Sequence, residues 1–115
     1  MPSRKQRGHD TERIVAQWFA ANGWPYAEPV GAGRSGTDVT GMPGLLVDAK
    51  ARRDFTPTEW LKQHALANGV MSFVVWRPDG YGPDKPGTGA FGVMMRLDDF
   101  TTLLHSAGYG TGEDQ

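Results

Sequence analysis

The stretch Thr37-Asp38-Val39-Thr40-Gly41-Met42-Pro43-Gly44-Leu45-Leu46-Val47-Asp48-Ala49-Lys50 decides the fold. Gly41-Met42-Pro43-Gly44 has the composition of a turn. The residues from Thr37 to Thr40 read as a short strand, and Leu45-Leu46-Val47 as the start of a well-buried one, so the segment predicts a hairpin. Asp38 lies three residues before the turn and Asp48 four after it, so antiparallel arms would set them across from each other to within one register. The two-residue alternation of a strand puts Asp48 and Lys50 on one face, with Ala49 turned away.

Downstream, Thr56-Pro57-Thr58-Glu59 is an N-cap, a first-turn proline and a capping-box acid, predicting a helix that ends at Gly69. Trp60, Leu61, His64, Ala65 and Asn68 share one side of it. The apolar run from Met71 to Trp76 predicts an interior strand covered on both faces, reached by a right-handed parallel crossover. Residues 78–89, rich in Gly and Pro, predict a mobile loop. Ala90 to Arg96 read as another strand, and Asp98 as the cap of a last helix ending near Gly108.

Upstream, Ile14, Val15, Trp18 and Phe19 recur at helical spacing between a cap at Asp10 or Thr11 and a C-terminal Gly23. Glu12, Val15, Ala16 and Phe19 fall on one side, which places Glu12 at the edge of the buried face. Pro25 to Val30 read as extended and Gly31 to Gly36 as a flexible loop. The order is helix, three short strands, helix, two strands, helix: an α/β sandwich on a small mixed sheet flanked by helices. The domain spans 10–107, with a flexible basic arm at 1–9 and a flexible tail at 108–115.

Composition narrows the chemistry. In 115 residues there is room for one modest core. There is no cysteine, which removes disulfides, thiolate-held zinc, iron–sulfur clusters and thiol nucleophiles. Twelve Lys and Arg against thirteen Asp and Glu give a net charge of -1. That excludes a uniformly basic coat but not a local basic patch. No apolar run approaches the ~18 residues of a membrane span, and the N-terminus lacks the apolar segment of a secretory signal, so a cytoplasmic protein is expected.

Two carboxylates and an ammonium on one sheet face make an oxygen-rich site for Mg²⁺ or Mn²⁺ beside a charge that steadies an anionic transition state. Glu12 reaches the same place from the first helix. The competing reading is a turn-proximal Asp38 and a solvated Asp48–Lys50 pair worth ~0–1 kcal/mol. Against it stands the position of Asp48-Ala49-Lys50 at the end of a buried strand. Arg52 and Arg53 continue a basic run from Lys50, Arg34 lies across the hairpin, and Lys5 and Arg7 lie in the N-terminal arm. All can neutralise phosphates. His9, His64 and His105 are scattered, Ser35 has no His partner, and Gly31-Ala32-Gly33 does not open a helix as a dinucleotide loop must. The four tryptophans read as core, and Tyr81 as a DNA contact.

The series Glu12, Gly36-Thr37-Asp38 and Asp48-Ala49-Lys50 resembles the PD-(D/E)XK nuclease superfamily. Gly33-Arg34-Ser35-Gly36-Thr37-Asp38 is similar to archaeal-type Holliday junction resolvases. The tract from Lys50 through Thr56-Pro57 to Phe73-Val74-Val75-Trp76 looks like the virus-type replication-repair branch. The likeness runs over roughly residues 10–77. It departs from the motif at Thr37, where proline is usual, and at Asp48, where glutamate is commoner.

The resemblance implies a restriction-endonuclease-like αβββαβ core and a metal-dependent endonuclease, most simply a phage-encoded Holliday junction resolvase working in the host cytoplasm. It implies Asp38 and Asp48 as metal carboxylates with the Ala49 carbonyl, Lys50 as the catalytic lysine and Glu12 as an outer ligand. Ser35 would contact the scissile phosphate, and Gln63 or Glu59 metal, water or DNA. Mg²⁺ is the implied cofactor, with Mn²⁺ able to substitute, and four-way junctions the first-choice substrate. Symmetric cuts on two strands imply a homodimer, with the apolar residues around Phe91 to Met95 at its interface. The alternatives are another repair or nicking nuclease, and a DNA-binding module that has lost catalysis.

Overall fold

A computed structural model describes residues 4–31, 37–64 and 70–110, with side chains described from residue 8 onward and, in the second segment, as far as residue 62. The elements are α1 (Arg4–Ala21), β1 (Glu28–Pro29), β2 (Val39–Thr40), β3 (Leu45–Ala51), a 3₁₀ turn (Arg52–Asp54), α2 (Pro57–His64), β4 (Met71–Arg77), β5 (Gly92–Met95) and α3 (Leu97–Ser106). The order is the expected one: helix, three strands, helix, two strands, helix. It forms an α/β fold with a small mixed sheet flanked by helices.

β3 runs parallel to β4 with Val47 opposite Phe73 and Lys50 opposite Trp76, and β4 runs antiparallel to β5. Along β3 burial alternates: Val47, Ala49 and Ala51 are buried, while Asp48 and Lys50 are half-buried. Ile14, Val15 and Ala16 of α1 share a core with Val47, Ala49 and Val75. Trp60 on α2 is also buried, at 3 % exposure.

α1 ends in a Schellman-type closure. Gly23 has φ 120, the Trp24 N–H donates to the Phe19 carbonyl at 2.9 Å, and the two rings meet edge to face at 5.5 Å. Its start differs from expectation. The helix begins at Arg4, so the backbone from Arg4 to His9 is helical and not a flexible arm, and Asp10 is inside the helix. The Arg, Lys and Gln residues before Asp10 are good helix formers, and Asp10 forms an i,i+3 ion pair with Arg13 at 3.6 Å. α2 begins at Pro57, as its punctuation predicts; its expected end at Gly69 lies outside the described residues.

The hairpin forms differently. β2 pairs with β1, Pro29 opposite Val39, and not with β3 in a regular ladder. A single backbone bond links the two predicted arms, Asp38 N–H to the Val47 carbonyl at 2.8 Å. The Thr37 hydroxyl supplies more: it accepts from the Val47 N–H at 3.0 Å and lies 2.8 Å from the Val39 carbonyl, to which it donates. The turn is drawn inward by Met42, 4 % exposed. Gly41, with φ 81, passes so close to Tyr26 that a Cβ would sit 2.0 Å from its carbonyl oxygen.

Other expectations are corrected locally. Residues 78–87 are not a loose loop but a set of closed turns: Gly82 N–H to the Lys85 carbonyl at 3.0 Å and Gly87 N–H to the Gly82 carbonyl at 2.9 Å. Asp98 does not cap α3 from outside but lies in its first turn, bonded to Arg96 at 2.7 Å. Trp18 is 41 % exposed, because its ring lies over Gly89 at the rim instead of entering the core.

Candidate active site

Asp38 brackets position 48 of β3. Its N–H bonds the Val47 carbonyl, and its Oδ2 accepts the Ala49 N–H at 2.9 Å. The N–H and C=O of one strand residue project to the same side. The Ala49 carbonyl therefore faces the edge of β3 that carries Asp38, away from β4. A carboxylate fixed by a backbone N–H beside a strand-edge carbonyl is an arrangement of hard oxygen donors.

Asp48 and Lys50 share the opposite, half-buried face to Val47 and Ala49. Asp48 Oδ2 accepts the indole N–H of Trp60 at 2.6 Å. The sequence alone marks Trp60 only as core. A buried indole N–H needs a partner, and that requirement, with an acid ending the adjacent strand, is the signal that could have found the contact. Thr37 was likewise passed over, although its hydroxyl stands in for the missing backbone rungs that hold Asp38 in place.

Glu12 comes in from α1, half-buried, with His9 Nδ1 3.9 Å from its Oε1. Burial pushes its carboxyl above the ordinary range, the negative charge of Asp38 pushes it further, and His9 and Lys50 pull it back. Asp38 and Lys50 are thus close enough to Glu12 to act on its charge. Asp48 precedes Ala49, whose N–H Asp38 holds, and its carboxylate is directed to Trp60 of α2. Among the described residues no three Asp, Glu or His side chains close on a single point. The gathered set is carboxylates plus a backbone carbonyl, not a cage. It fits a cation such as Mg²⁺, which keeps much of its water and takes one or two protein carboxylates with substrate phosphate.

Arg52 and Arg53 follow β3 and are exposed. Arg52 has φ 55, and its Nε lies 3.2 Å from Asp79 Oδ1. Glu59 is exposed on α2. Lys5, Arg7, Arg34, Ser35 and Gln63 have side chains outside the described residues. No helix among the described residues is long and apolar enough to cross a membrane. No protein-family model, curated protein or solved structure matches the chain.

Proposed function

We propose that this chain is a metal-dependent DNA endonuclease of the PD-(D/E)XK type that hydrolyses phosphodiesters in branched DNA, four-way junctions first. The observation that carries the reading is the pairing of Asp38 with Ala49 on the strand that also presents Asp48 and Lys50, with Glu12 electrostatically coupled to Asp38 and Lys50. Asp38, Asp48 and the Ala49 carbonyl would hold the ion, with Glu12 behind them. When bound, Mg²⁺ or Mn²⁺ polarises the scissile phosphate and makes hydroxide available near neutral pH.

The protein's own groups do the rest. The Ala49 N–H and the Trp60 indole orient the two Asp carboxylates before substrate arrives. Lys50 offsets the charge that builds on the phosphoryl oxygens. Arg52 and Arg53 beside it neutralise flanking phosphates. Cuts on two strands call for two copies. The apolar, exposed faces of β5 and α3 support a homodimer: Val93 is 62 % and Leu97 78 % exposed, and α3 buries no residue.

A second reading, a DNA-binding module of the same fold without catalysis, is separated from the first by the same experiment. The test is incubation of a labelled four-way junction, a flap and a linear duplex with Mg²⁺, Mn²⁺ or EDTA. Metal-dependent cutting with preference for the junction supports the resolvase reading. Preference for the flap or duplex supports another nuclease of the same chemistry. Binding with no cutting in either metal supports the module.

A further inference from the structure

Beyond Lys50 the parallel ladder ends at the rung Ala51–Arg77, and the chain builds a second charged surface there. Arg52 turns away at once, its carbonyl held by the Trp76 indole N–H at 2.7 Å. Arg77 is half-buried and fixed: its Nε donates to the Tyr81 carbonyl at 2.6 Å and its Nη1 to Thr11 Oγ1 at 3.3 Å. The closed turns of residues 78–87 then carry Lys85 back toward both arginines. Arg52, Arg77, Tyr81, Asp84 and Lys85, with the loop glycines, line a pocket of about 340 Å³.

Three cations line this pocket against one acid, Asp84; the Asp79 carboxylate that meets Arg52 stands at the rim, 82 % exposed. Holding like charges together is unfavourable until an anion enters between them. Planar guanidinium groups match phosphate oxygens in a way that suits such an anion. The pocket also lies at the carboxyl ends of two parallel strands, where α/β sheets bind their ligands.

We infer that the Arg52–Arg77–Lys85 pocket seats a backbone phosphate of the DNA strand that passes Lys50. The inference takes its ligand from the nuclease reading. Arg77 holds the loop in place, Lys85 and Arg52 meet the phosphate, and Arg52 exchanges the exposed carboxylate of Asp79 for it. Tyr81 contributes its backbone to the wall by accepting from Arg77.

The test is binding of a fluorescent four-way junction in EDTA, followed by anisotropy across a range of NaCl. Each phosphate contact contributes about 0.9 to the slope of log K against log salt. Lys85→Ala and Arg52→Ala should each flatten the wild-type slope by about one contact, and Lys85→Arg should restore it. Asp84→Asn, which removes the acid from the pocket, should tighten binding, an outcome that misfolding cannot mimic. Wild-type binding with an unchanged slope in both alanine variants and no tightening in Asp84→Asn overturns the inference and leaves the nuclease reading standing. Flattened slopes with no cutting in Mg²⁺ or Mn²⁺ support the pocket and overturn the nuclease reading. A wild-type chain that binds no DNA overturns both.

Discussion

Trp60 and Asp48 meet at 2.6 Å across twelve residues of sequence, and the contact does two jobs. It satisfies an indole N–H that would otherwise be buried, and it fixes one oxygen of an acid the proposed chemistry needs. Trp60→Phe keeps most of the ring volume and removes the donor. Hydrogen bonds to charged groups are worth about 1.5–3 kcal/mol, so urea unfolding should show a loss of that order. The loss should shrink when Asp48 has already been changed to Asn, because the two residues act as a pair. Equal losses in both backgrounds would show that the indole N–H does not act through Asp48.

Glu12 gives a second prediction at this scale. Its carboxyl is shifted upward by burial and by Asp38. Folding therefore shifts its equilibrium toward the protonated form relative to the unfolded chain. Its contribution to stability is full below the unfolded pKa and is lost as pH rises through the higher folded value. In EDTA, wild-type stability should fall across that window, and Glu12→Gln should flatten the fall. A divalent ion should restore wild-type stability at neutral pH and do less for the variant. Parallel pH profiles of the two proteins would contradict the upward shift of the Glu12 carboxyl.

At the scale of elements, the turn between β2 and β3 rests on Gly41. An added Cβ would collide with the Tyr26 carbonyl oxygen, and φ 81 is already costly for any other residue. Strain and overpacking together put the cost of Gly41→Ala at no less than ~2 kcal/mol, readable as a fall in melting temperature. The element order was legible because its marks are local: Thr56-Pro57 opens α2, Gly23 closes α1, and an apolar run marks β4. The parallel pairing of β3 with β4 followed from the crossover between them, but the partner of β2 was not legible. The choice of β1 over β3 as the regular partner of β2 depends on the Thr37 hydroxyl and the buried Met42, which act across the fold. The site was half legible for the same reason. Alternation placed Asp48 and Lys50 together on β3, but the indole that holds Asp48 belongs to another element.

For the molecule as a whole, the net charge of -1 conceals a division. Lys50, Arg52, Arg53, Arg77 and Lys85 gather where β3 and β4 end, beside the acids proposed to hold metal. On another side, β5 is the outer strand of its sheet and α3 leaves Leu97 and Phe100 exposed. The proposed pairing of copies would need about 800 Å² from each partner, and this apolar face is the surface the proposal assigns to it. Sedimentation should show wild-type dimers and a monomeric Leu97→Glu/Phe100→Glu variant that keeps its fold. An unaltered dimer in that variant would place the interface elsewhere.

The most direct measurement of the central claim is single-turnover cutting of a synthetic four-way junction by wild type, Asp38→Asn, Asp48→Ala and Lys50→Ala proteins in Mg²⁺. Wild type should cut, EDTA should abolish the cutting, and each variant should fall by roughly 100-fold or more, as expected for loss of an electrostatic contribution at the reacting phosphate. Cutting that persists unchanged in the Asp48→Ala or Lys50→Ala protein would contradict the claim.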